Sequence, residues 1–136
     1  MRSQRMILQL SLATFFLFLF LIFRDYFDRY RESAFCNAFG PFGVEFFSFQ
    51  YDFFIRGGII IFFAVQWWRE EQEMKSWLWV CILTGGIANC LEKWIFGCVV
   101  DYITIFSFPA FNGADVLLTI GATGIVWQWI RERNIL

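Results

Sequence analysis

Two aspartates stand beside strongly apolar runs in the C-terminal half of this chain: Asp101 in "GCVVDYI" and Asp115 in "FNGADVLL". A carboxylate in a partly apolar site has its pKa raised, and a second carboxylate nearby raises it further. Such a pair shares one proton near neutral pH. One member can then activate water while the other protonates a leaving amine. The plainer alternative makes Asp101 a solvated loop residue and Asp115 an N-cap of the last helix, where aspartate is common. Spacing alone leaves both readings open.

Other reactive constellations are scarce. The chain has no histidine, which removes Ser-His, Cys-His and His-ligated zinc chemistry together. Lys75 and Lys93 leave little room for a Ser-Lys dyad. Cys36, Cys81, Cys90 and Cys98 show no CxxC spacing, so all four are read as small apolar or structural residues. A Cys90–Cys98 bridge stays open. A net charge of −1 offers no electrostatic attraction for nucleic acid.

The elements that must position these residues belong in a membrane. The chain is 59% hydrophobic, with 20 Phe and 7 Trp in 136 residues, too apolar for a soluble domain of one-domain length. Residues 6–23 carry no charge and as a helix reach about 27 Å, near the thickness of a hydrocarbon core. The run is long for a signal-peptide core and "RDYFDRYRE" follows it in place of small residues, so it reads as an uncleaved transmembrane helix. Further spans are expected at 54–68, 77–91 and 114–130. Between the first two, Gly40, Pro41 and Gly43 break any helix, and the aromatics suit an interfacial or β-like segment.

Four spans place both termini on one side. That side carries Arg2, Arg5, Arg69, Lys75, Arg131 and Arg133; the other carries Arg24, Arg29, Arg31 and Lys93. The balance favours cytoplasmic termini, with Asp101 and Asp115 both at the outer face. Arg56, inside the second run, is expected to snorkel towards headgroups over nearby aromatics.

The stretch "GGIANCLEK…GCVVDYI…FPAFNGADVLLTIGA" resembles the lipoprotein signal peptidases (signal peptidase II). That family carries GN-x-x-DR, then VVD, then FN-x-AD around its third and fourth transmembrane helices. The matching residues are Gly86, Asn89, Val99-Val100-Asp101, Phe111-Asn112 and Ala114-Asp115. Pro109-Ala110 and Thr119-Ile120-Gly121 fit as well. Asn37, Phe42 and Gly43 echo the family's outer-loop N-x-G-x-A-F-G. Its D-x-x-x-K motif survives as Asp25 with Arg29, although Asp28 competes for that place.

The resemblance implies a single membrane domain of four helices, and an aspartic endopeptidase that cuts lipidated prolipoproteins before the diacylglyceryl-cysteine. It implies no metal or cofactor. Asp101 and Asp115 would be catalytic, with Asn89, Asn112, Asn37, Lys93, Asp25 and Arg29 positioning them or the substrate. The implied setting is the cytoplasmic membrane of a bacterium, with phospholipid neighbours and a monomeric state. This chain departs from the family in carrying Glu92-Lys93 for Asp-Arg, and Lys lacks the bidentate fork of Arg. Its outer segment and the link between the two aspartates are also short. Two other functions compete. A non-catalytic scaffold of the same descent would be expected to lose an aspartate, and both are present. A small transporter would need an acidic residue at mid-depth in a span, a costly feature that the first three spans lack.

Overall fold

The computed structural model describes residues 2–30, 35–37, 49–106 and 109–133. Four helices and two short strands follow in the order α1 (Arg2–Tyr30), β1 (Phe35–Asn37), α2 (Phe49–Arg69), α3 (Glu73–Phe96), β2 (Val99–Asp101) and α4 (Gly113–Arg133). α1, α3 and α4 are long and apolar enough to cross a membrane, and the protein is a multi-pass membrane protein. α2 also covers 21 residues but carries Asp52, Arg56 and Arg69. Part of the outer segment forms β1; Gly40, Pro41, Phe42, Gly43 and Glu45 lie outside the described residues.

α3 is the inner helix, touching α1, α2 and α4. Its Trp79 and Ile82 meet Ile125 of α4, with Phe63, Trp67, Leu78 and Leu118 closing around them. The outward faces keep Phe15, Phe18, Phe54, Phe62 and Trp127 exposed, as helices facing lipid should. α3 ends where Gly97 takes a left-handed conformation, φ 79°, and donates its N–H to the Lys93 carbonyl, satisfying a terminal acceptor.

Contact between α3 and α4 is backbone-close. A Cβ built on Gly121 would lie 2.6 Å from Ile82 Cγ1 and 2.7 Å from the Leu78 carbonyl oxygen. One on Gly85 would lie 2.4 Å from the Ala114 carbonyl oxygen. Small residues at helix contacts let main chains approach where no hydrophobic drive acts between helices. Gly121→Ala is therefore expected to cost about 1–3 kcal/mol through overpacking. Gly57→Ala, in open space, should be neutral or slightly stabilising. Thermal unfolding in detergent distinguishes the two, and equal melting temperatures would contradict this packing.

Polar contacts mark both ends of the bundle. At the terminal end, Arg5 donates to the Glu71 carbonyl at 3.1 Å, Arg2 donates to the Trp68 carbonyl, and Lys75 pairs with Glu132 at 2.7 Å. One turn further in, the fully buried Gln9 joins three helices. Its amide donates to Ser76 Oγ at 3.0 Å, and Trp67 Nε1 donates to its Oε1 at 3.0 Å. Arg56 reaches one turn back towards the start of α2 and pairs with Asp52, Nε to Oδ2 at 2.7 Å.

At the opposite end β1 and β2 pair antiparallel, with Phe35 opposite Asp101, Cys36 opposite Val100 and Asn37 opposite Val99. A disulfide joins Cys36 to Cys98, Cα atoms 5.6 Å apart and 62 residues apart in sequence. Cys98 thus pairs with Cys36 and not with Cys90, and Cys81 and Cys90 are free.

Candidate active site

The site begins with a turn of chain that closes on itself. After Asp101, Ile103 exchanges backbone hydrogen bonds with Phe111, at 2.8 and 3.0 Å, and Tyr102 N–H also donates to the Phe111 carbonyl. The ladder brings Asn112 back beside Asp101. α4 starts at the next residue, Gly113.

Asn112 and Asp115 then form a reciprocal cap. Asp115 N–H donates to Asn112 Oδ1 at 3.1 Å, and Asn112 N–H donates to Asp115 Oδ2 at 3.1 Å. This is capping-box geometry with Asn at N-cap and Asp at N3. The alternative that made Asp115 the N-cap is corrected accordingly: Asn112 caps, and Asp115 answers from N3. Its charge sits in the first turn, where the helix dipole favours an anion.

Asn112 and Asn89 link the carboxylates. Asn112 Nδ2 donates to Asp101 Oδ1 at 3.2 Å and to Asn89 Oδ1 at 3.1 Å. Asn89 Nδ2, from α3, donates to Asp115 Oδ1 at 2.7 Å. Asn37, from β1, donates to Asp101 Oδ2 at 3.3 Å. Asp101, Asp115, Asn89, Asn112 and Asn37 thus meet in one network drawn from four elements. Asp101 is 6% exposed and Asn112 is 2% exposed, while Asp115 is partly open. Burial pushes the Asp101 carboxyl up to about 6, the Asp115 charge adds to the rise, and the Asn37 and Asn112 donors oppose it.

Behind β2 lies a second polar arrangement that reading the sequence missed. Glu92, 4% exposed, accepts the Val100 N–H at 3.1 Å and faces Arg24 of α1, Nε to Oε2 at 3.9 Å. The Arg24 guanidinium also stands 3.6 Å over the Phe96 ring. The charge count places Arg24 among the outer basic residues. Its helical spacing from Phe20, Phe23 and Phe27 was the available signal, because i, i+3, i+4 and i+7 share one face. Asp25 and Arg29 form an exposed pair at 2.9 Å on α1, outside the hydrogen bonds of the aspartate network among the described residues. Lys93 is buried on α3. Nothing is described of the side chain of Asp28, and Phe42 and Gly43 lie outside the described residues.

Beside the network opens a recess of about 520 Å³, walled by Phe20, Phe23 and Phe27 of α1 and by Tyr102, Ile103 and Gly113. Phe27 and Tyr102 stack with centroids 4.4 Å apart, and the Tyr102 hydroxyl accepts the Gly113 N–H at 3.0 Å. The lining of this recess is therefore mostly aromatic and apolar. Among the described residues no three of His, Cys, Asp and Glu are placed to hold a metal ion.

Fold and network together define a membrane-embedded helical protein with two carboxylates gathered at one end of the bundle. Its fold is shared by two solved bacterial membrane enzymes. One, determined by the in meso method at 2.3 Å, has a TM-score of 0.83 at 19% identity, covering 92% of this chain and 88% of that one. The other, at 1.9 Å, has a TM-score of 0.78 at 20% identity, covering 89% and 91%.

Residues 33–131 match the signal peptidase (SPase) II family, and the chain belongs to it. It is similar to the lipoprotein signal peptidase of Synechocystis sp., 33% identical over 72 residues, 52% of this chain and 43% of that protein. The lipoprotein signal peptidase of Brucella ovis is 33% identical over 85 residues, 55% of this chain and 53% of that protein. The matches therefore span about half the length of these relatives.

Proposed function

We propose that the protein is an aspartic endopeptidase that removes signal peptides from lipidated prolipoproteins before the diacylglyceryl-cysteine. The observation that carries this reading is the shared hydrogen-bond network of Asp101 and Asp115, in a chain of this family. In the proposed reaction Asp115 accepts a proton from a water whose oxygen adds to the scissile carbonyl carbon. Asp101 gives its proton to the departing amine nitrogen as the C–N bond breaks. Asn112 and Asn89 hold both carboxyls in register through their side-chain amides. The aromatic recess supplies an apolar wall for the acylated part of the substrate. Lys93 provides a point charge near this face in place of the family's Arg, and Arg24 steadies Glu92 behind it.

A gel-shift assay on a diacylglyceryl-modified precursor tests the assignment directly. The wild-type protein should shorten the precursor and Asp101→Asn should leave it intact. No cleavage by the wild-type protein would overturn it.

The proposed setting is the cytoplasmic membrane of a bacterium, with the termini inside and the site at the outer surface. Two features favour this orientation: the basic residues of the terminal end, and a disulfide at the site end, since disulfides persist in oxidising compartments. A cysteine introduced as Glu71→Cys should then resist a membrane-impermeant maleimide in intact cells and react after permeabilisation. Labelling in intact cells would reverse the topology.

A further inference from the structure

We propose that the Cys36–Cys98 disulfide is a positioning device for the aspartate pair, holding Asn37 on Asp101 through the β1–β2 ribbon. The inference rests on the reading of Asp101 as a catalytic carboxyl. Side chains alternate faces along a strand, so Cys36 and Cys98 cross-link on one face while Asn37, Val99 and Asp101 share the other. Asn37 follows Cys36 directly, and its amide reaches Asp101 Oδ2 across the register diagonal. A two-stranded ribbon of three-residue strands is marginal by itself in water. The links that join β1 to the rest include its pairing with β2, the Asn37 hydrogen bond and the disulfide. The covalent link survives a fluctuation of the hydrogen bonds. Cys36 is exposed, so an aqueous reductant can reach the bond.

The chemistry of losing the link is simple. A dithiol reductant delivers two electrons and two protons, the S–S bond becomes two thiols, and the reductant becomes a disulfide. β1 is then free to leave β2 and takes the Asn37 donor with it. An N–H donor favours the charged carboxylate, so its departure should move Asp101 to a higher pKa. The other ionisable groups around Asp101 stay in place: Asp115 on α4, Glu92 of α3 with Arg24 of α1, and the neighbouring Tyr102.

The test compares oxidised protein, protein reduced by a dithiol and alkylated, Cys36→Ser/Cys98→Ser, and Asn37→Ala, all in detergent. Two readouts are taken: kcat and KM on a lipidated precursor, and the pH titration of the Asp101 carboxyl by its infrared carbonyl stretch. That band is assigned by its loss in Asp101→Asn. With each protein compared at its own pH optimum, each perturbation should lower kcat by about 10-fold or more, as for one hydrogen bond to a charged group, with little change in KM. Each should also move the Asp101 titration upward, and Asn37→Ala should add nothing once the disulfide is gone. An unchanged titration after reduction overturns the proposal, as does a shift in Asn37→Ala that disulfide loss does not reproduce. If the double serine variant fails to fold, reduction of the folded wild-type protein gives the same comparison. Should the wild-type protein cut no lipidated precursor while the titration still shifts as expected, the positioning role stands and the peptidase reading falls.

Discussion

Asp101→Asn and Asp115→Asn should each remove detectable cleavage of a lipidated precursor while leaving insertion and helix content unchanged. Each substitution deletes an acid or a base, a role worth ~10²–10⁴ in rate. Because the carboxyls act through one proton, the double variant should be little worse than either single one. The amide preserves shape and most hydrogen bonding, so loss of the fold is not the expected cause. The pH profile gives the same claim a sign. Burial holds the Asp101 carboxyl at about 6, so below that pH it carries the proton the leaving amine needs. Above it Asp101 is charged and the acid is gone. kcat/KM should therefore decline on the alkaline side by about tenfold per unit, with an apparent pKa belonging to the pair. Substantial turnover by either Asn variant would return both residues to capping and loop roles. A rate that stays level to high pH would remove Asp101 as the acid.

Glu92→Ala should be the most damaging single change to stability outside the close helix contacts. The carboxylate is the acceptor for the Val100 N–H, and it faces a buried guanidinium. Its removal orphans a buried backbone donor and takes away one charge of a buried pair, a change that typically costs about 3–5 kcal/mol. Glu92→Gln keeps an acceptor and loses the charge, so its cost should be smaller. Arg24→Met with Glu92→Gln should recover part of the loss, since replacing both partners spares either one from being buried alone. Thermal and denaturant unfolding of the four proteins measures this cycle. A loss below about 1 kcal/mol in Glu92→Ala, the scale of an exposed pair, would show that the arrangement is solvated and incidental.

Much of this was readable from residue order, and the rest was not for identifiable reasons. The membrane class and the helical architecture follow from run length and composition, which act locally. Family membership follows from short motifs around Asn89, Asp101, Asn112 and Asp115, and the fold brings those four together. The Asn112–Asp115 cap was also legible, because a polar N-cap with an acid three residues on is a local pattern; the spacing was on view and was read as a single cap. The Cys36–Cys98 bond was not legible, since no spacing encodes a pairing across 62 residues. Arg24 and Asp25 are neighbours in sequence and face opposite ways on α1. Charge counting treats them alike, whereas helical geometry buries one and exposes the other. Gln9, Trp67 and Ser76 come from three helices, so only packing could reveal that each completes the others' hydrogen bonding.

The backbone ladder between Ile103 and Phe111 separates two quantities that would otherwise vary together. The approach of Asp101 to Asn112 is set at the base of this turn, below the ladder, whereas residues 104–106 and 109–110 lie beyond it. Insertions or deletions in that tip change the closure entropy by only about 0.6 kcal/mol for each doubling of length, and they leave the carboxyl spacing alone. Of the outer segment's described residues, Asn37 joins the network. Length variation between Ile103 and Phe111 thus falls where it costs little, and both carboxyls keep their register.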